Sequence, residues 1–183
     1  SGWTFDYTFR ARDHVAKLYL TEEELVLGRQ IAEHCGPYIL IDPGSKHANL
    51  RWPFEYWEQL VAARPEHTWV QHTWPGGPLI VPGVQPFHTS TFREACGLVA
   101  SASVYIRGES GMLHAAAALG TPAVAIWGGC MAFDVLGGYS TQVAVGVHQP
   151  PCGRYLPCPH CAEIMAGIGV EEVLAGLDKI GVE

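Results

Sequence analysis

The polar and apolar positions of this chain alternate between two periods. "TEEELVLGRQIAEHC" places Leu25, Leu27, Ile31 and Ala32 along one helical stripe, and Thr21 with Glu24 three residues on forms a capping box, so a helix is predicted from Thr21. "YILID" at 38–42 is instead a short continuous apolar run closed by Pro43-Gly44, the pattern of a strand buried on both faces. "PFEYWEQLVAAR" at 53–64 returns to the helical period, with Pro53 at its start and Trp57, Leu60 and Val61 on one side.

The same switch recurs downstream. Strands are predicted at 67–71, at 77–83 (more weakly, because of its prolines), at 103–107, at 122–128 and at 141–147. Helices are predicted at 90–102, capped by Ser90 or Thr91, at 111–120 with glycine at the C-terminal end, and at 170–180 with acids first and lysine last. Short apolar strands alternating with helices give an α/β fold: a three-layer, Rossmann-like parallel sheet of about six strands, with 38–42, 103–107 and 123–127 central. Residues 1–20 carry no clear period and read as an N-terminal arm or linker ahead of a domain at 21–183.

Composition narrows the class. Apolar residues make up 48% and charged residues 16% of 183, which describes a folded globular chain. A net charge of −7 argues against nonspecific nucleic-acid binding, which needs a basic surface. No apolar run approaches the roughly 18 residues of a membrane span, and the first residues do not read as a signal peptide. Six cysteines in this length do not make a disulfide scaffold, so a reducing, cytoplasmic setting is the expectation.

Ligands of parallel sheets bind outside the carboxyl ends of the strands, and two such ends stand out. After 38–42, "DPGSKHANLRWP" offers Gly44 for close backbone approach, the Ser45 hydroxyl and the cations Lys46 and Arg51, a set suited to a phosphate or diphosphate and equally compatible with a solvated loop. After 103–107, Glu109, Ser110 and Gly111 open a helix whose first amides can bind an anion, with His114 a turn inside; Ser110 as a simple cap and His114 as a packed residue is the other reading. "GESGML" is not the dinucleotide fingerprint G-x-G-x-x-G.

Those two segments carry a family resemblance. "DPGSKHANLRWPFEYWEQLVAA" resembles the opening of the C-terminal domain of the ADP-heptose heptosyltransferases, glycosyltransferase family 9. "RGESGMLHAAAALGTPAVAIWGG" is similar to that family's acid–Ser/Thr–Gly–x–x–His–x–Ala–Ala motif, and "TSTFREACGLVASASVYI" to the stretch before it. The resemblance covers about residues 21–180 in matching order. It implies the C-terminal, donor-binding half of a GT-B glycosyltransferase, acting on a nucleotide sugar, with ADP the expected nucleotide and no cofactor. Gly44, Ser45, Lys46 or Arg51 would meet the diphosphate, Glu109, Ser110 and Gly111 would bind phosphate or sugar, and His114 would support that turn or reach the phosphate. Two positions depart from the family pattern: Leu50 stands where a lysine is usual and Glu109 where an aspartate is. The family's catalytic base belongs to an N-terminal domain, so a further domain or partner chain is expected to complete the site. The alternative is a nucleotide-sugar-binding module without turnover.

"HQPPCGRYLPCPHC" needs its own reading. Cys152, Cys158 and Cys161 with a histidine, His148 or His160, supply enough tetrahedral ligands for zinc. A single C-x-x-C lacks the paired knuckles of a zinc ribbon, and packed free thiols are the competing reading, which leaves no metal as the expectation.

Overall fold

The computed structural model describes residues 13–14, 16–147, 150–154 and 156–181. Seven helices and six strands follow one another as α1 (Glu22–Cys35), β1 (Tyr38–Asp42), α2 (Phe54–Ala63), β2 (Thr68–Thr73), β3 (Gln85–His88), α3 (Phe92–Ser101), β4 (Val104–Gly108), α4 (Gly111–Leu119), β5 (Ala123–Ile126), α5 (Phe133–Leu136), β6 (Gln142–Val145), α6 (Pro159–Gly167) and α7 (Val170–Ile180) among the described residues. The strands form one sheet in the order β3-β2-β1-β4-β5-β6, and every pairing is parallel.

Period-two alternation sorts the strand residues into two cores. Ile39, Ile41, Val104, Ile106, Val124 and Ile126 face α2 and α7 and bury Trp57, Leu60, Leu174 and Leu177. Tyr38, Leu40, Val70, Tyr105, Ala123 and Ala125 face the other way, onto Ile31, Leu98, Leu113 and Ala116 of α1, α3 and α4. A strand buried on both faces needs apolar residues at every position, which is why "YILID" is continuous. On the second face α1 and α3 approach through glycine. A Cβ on Gly97 would overlap the Glu24 carbonyl, and one on Gly28 would overlap the Gly97 carbonyl. Leu18 and Leu20 extend this face, and the Leu18 amide donates to the Ala118 carbonyl at 3.3 Å.

The helix caps follow the sequence. Thr21 and Glu24 close a reciprocal capping box, the Thr91 hydroxyl accepts from the Glu94 amide, and Gly120 ends α4 in the left-handed conformation at φ 78°.

One predicted strand is absent. Residues 77–83 are loop, and the edge strand runs from Gln85 to His88. Pro78 and Pro82 have no N–H for a ladder, so the Gln71 side chain takes over: it donates to the Leu79 carbonyl and accepts from the Val81 amide, both at 2.9 Å. Pro86 is tolerated in β3 because only one side of an edge strand is paired. Helix α6 has no counterpart among the elements predicted from the sequence. No helix among the described residues is long and apolar enough to cross a membrane.

Candidate functional site: a groove at the switch point of the sheet

Chain order reverses direction across the sheet between β1 and β4, so the connections leaving these adjacent strands diverge and leave a crevice at their carboxyl ends. Both loops singled out in the sequence rise from that crevice. Asp42 ends β1 and is 1% exposed; its carboxylate accepts from the Gly44 amide at 3.2 Å, from the Tyr105 hydroxyl at 3.4 Å and from the Arg107 guanidinium. His72 Nδ1 lies 3.0 Å from the same carboxylate and its Nε2 lies 2.8 Å from the Thr89 hydroxyl. Arg107 also donates to the Gly44 carbonyl at 3.0 Å. A buried ion pair and its hydrogen bonds thus set the backbone of the Gly44 turn from beneath.

That turn has no room for a side chain at its glycine: a Cβ on Gly44 would overlap the Trp74 indole. Beyond it, the His47 amide donates to the Ser45 hydroxyl at 3.2 Å, and Arg51 Nε donates to the Ser45 carbonyl at 2.8 Å. Arg51 therefore closes its own loop, while Lys46 is exposed and in no ion pair among the described residues.

Across the crevice, Ser110 is the N-cap of α4 yet makes no capping bond, and its hydroxyl is buried without a hydrogen-bond partner among the described residues. A Cβ on Gly111 would meet nothing within 4 Å, so no protein atom requires glycine there. Burial pushes the Glu109 carboxyl up to about 7.

Ser45, Lys46, Glu109, Ser110 and Gly111 line one groove of about 470 Å³, whose other wall includes His72, Trp74, Thr89, Phe92 and Arg107. Gly44 and Arg51 line a neighbouring cavity of about 630 Å³ with Trp74 and Leu79; Ser45 and Lys46 belong to both. His114 lines neither. Its Nδ1 lies 2.7 Å from the Tyr139 hydroxyl, the rings meet edge to face at 5.6 Å, and burial lowers its pKa. It ties α4 to the loop before β6. Sequence reasoning missed Asp42, His72, Thr89 and Arg107. An acid ending an apolar strand, and an arginine at the same place on the next, were the available signals.

Near this edge the cysteine-rich loop packs against the turn at 48–50. Asn49, 2% exposed, donates to the Arg154 carbonyl at 2.7 Å and the Leu156 carbonyl at 2.9 Å, and accepts from the Cys158 amide at 2.8 Å. His148 lies outside the described residues. Among the described residues, His160 is the histidine that lies with Cys152, Cys158 and Cys161.

The chain is a doubly wound parallel sheet and has the fold of about half of the GT-B-type family 9 glycosyltransferase structures. It is similar to the glycosyl transferase family 9 structure from Veillonella parvula at 14% identity and a TM-score of 0.70, covering 90% of this chain and 53% of that one. It is similar to the E. coli ADP-heptose LPS heptosyltransferase II at 17% identity and a TM-score of 0.67, over 90% of this chain and 53% of that one. The iron-containing dodecameric glycosyltransferase TibC from enterotoxigenic E. coli matches at 18% identity and a TM-score of 0.64, over 79% and 45%. The chain thus spans about half the length of these structures. No family model and no curated protein matches it.

Proposed function

We propose that this chain is the donor-binding half of a glycosyltransferase and holds a nucleoside diphosphate sugar in the groove between the Ser45–Lys46 turn and the start of α4. The observation that carries this reading is the convergence on one groove of a lysine outside any ion pair among the described residues, a glycine no neighbour requires and the free amides of a helix start. An anionic diphosphate would take the amides of Ser110, Gly111 and Met112 and the Lys46 ammonium, and the Ser110 hydroxyl, buried without a partner among the described residues, would turn to meet it. Trp74 and Phe92 on the facing wall offer aromatic surface to the base. ADP-heptose is the first donor to test, because E. coli heptosyltransferase II, named for that donor, shares the fold.

During transfer, the bond from the sugar's anomeric carbon to the diphosphate breaks and negative charge collects on the leaving oxygens. The α4 amides are fixed before that charge develops and would stabilise it without reorganising, and the Lys46 ammonium would add its positive charge. No resident cofactor enters this step. The acceptor and the base that activates it would be supplied by a further domain or partner chain.

Isothermal titration with ADP-heptose, ADP, UDP-sugars and GDP-sugars tests the reading. One nucleotide class is expected to bind saturably, and Lys46→Ala is expected to weaken it roughly ten-fold, the loss of one charge-assisted bond. A folded chain that binds none of these nucleotides contradicts it.

A further inference from the structure

The sulfurs of Cys152, Cys158 and Cys161 and a ring nitrogen of His160 all lie within 4.8 Å of one another. Cys152 Sγ and Cys158 Sγ are 3.6 Å apart. That is far beyond the ~2.05 Å of a disulfide. It is close to the ~3.8 Å that separates two thiolates on one tetrahedral metal ion, each ~2.3 Å from it.

The local structure is built to present these atoms. Cys158 is the N-cap of α6, and His160 and Cys161 follow in its first turn with Pro159 at N1. Cys152 comes from the preceding loop, where its amide donates to the Gly129 carbonyl and the Gly153 amide donates to the Cys130 carbonyl, both at 2.7 Å. Asn49 fixes the intervening backbone through three hydrogen bonds. Two groups compete for the fourth position. His160 is exposed and closes the cluster from the solvent side. Cys130 is buried in the same packet of sulfurs, where its thiol donates to the Arg154 carbonyl at 3.5 Å and lies in hydrogen-bond reach of Cys161.

From this geometry we infer that Cys152, Cys158 and Cys161 form the thiolate core of a four-ligand structural metal site, closed by His160 or Cys130, that ties the backbone around Cys152 to the start of α6 against Asn49. A tetrahedral set of three or four sulfurs selects a thiolate-preferring ion, divalent zinc or iron, and four protein ligands leave no position open for catalysis. Binding balances as the metal ion in and the thiol protons out, with no change of oxidation state. This assignment does not depend on what the groove binds.

Metal content of the purified, dialysed chain, measured by plasma mass spectrometry for zinc, iron, nickel and copper, is the test. About one zinc or iron per chain is expected, lost in Cys158→Ser and Cys161→Ser. One of the pair His160→Ala and Cys130→Ser is expected to weaken retention of that ion by at least about tenfold, which assigns the fourth ligand; full retention in both overturns the four-ligand site. Where a cysteine variant fails to fold, the parent itself remains testable. Cobalt added after metal stripping should give thiolate charge-transfer bands and the intense visible absorption of tetrahedral cobalt. Trace metal only, together with no cobalt spectrum in the folded parent, overturns the site. Stoichiometric nickel or copper overturns the identity of the ion.

Discussion

Asp42 and Arg107 are register partners on adjacent strands, and their side chains form an ion pair beneath the groove. The Asp42 carboxylate is fully buried and the Arg107 side chain is 13% exposed. Removing one partner would leave a buried charge uncompensated. Arg107→Ala is expected to lower stability by about 3–5 kcal/mol in urea unfolding. Arg107→Lys should recover part of that and still weaken nucleotide binding, since an ammonium cannot reproduce the planar fork that serves both Asp42 and the Gly44 carbonyl. Equal stability of Arg107→Ala and the parent would show that the pair does not hold the turn.

Glu109 gives a pH dependence with a definite sign. Its carboxyl is raised to about 7 in the folded chain, above the ordinary value of 4.5, so the folded state holds the proton more tightly. The associated stability is fully present below about pH 4.5 and is lost as pH rises through about 7. Glu109→Gln should therefore be more stable than the parent at pH 8 and similar to it at pH 4. The parent should also bind a diphosphate more weakly at pH 8 than at pH 6, because the ionised carboxylate faces the same groove, while Glu109→Gln should show less of this fall. Parallel melting and titration series at these pH values check both.

Gly111 separates folding from binding. Its absent Cβ would meet no protein atom within 4 Å, so Gly111→Val should melt within a few degrees of the parent. With a diphosphate seated on the α4 amides, the space above Gly111 belongs to the ligand, and the same substitution should cost at least about tenfold in nucleotide affinity. Ser110→Ala should cost less, since the amides remain.

Asn49 is expected to matter for stability far from any strand. Asn49→Ala would take the Asn49 side chain from the Leu156 carbonyl and the Cys158 amide and leave the Arg154 carbonyl only the weak Cys130 thiol donor, a loss of at least about 2 kcal/mol, measurable by chemical denaturation.

Much of the sheet was legible because burial on both faces leaves an unbroken apolar run: Tyr38–Asp42 matches the strand read from the sequence, and the helix caps at Thr21 and Thr91 lie where their residue types placed them. The stretch 77–83 misled because Leu79, Ile80 and Val81 are a strand-like triplet, whereas only Val81 turns into the core and the Gln71 side chain, reaching over from β2, decides the backbone. The loops at Gly44 and Ser110 could be named from residue type at strand ends. The Asp42–His72–Arg107 set could not, since it joins β1, β2 and β4 and exists only once those strands are neighbours. The place of Cys130 among the cysteines likewise could not, since it comes from the loop after β5 and meets them only in the folded chain.

The most direct test of the central claim is a set of backbone amide NMR spectra recorded while ADP is added to the isotope-labelled chain. Saturable shifts are expected to concentrate at Ser45, Lys46, Ser110, Gly111 and Met112 and to be abolished in Gly111→Val. Absence of shifts at those amides in a folded sample, or saturable shifts confined to another face of the sheet, would contradict a donor site in this groove.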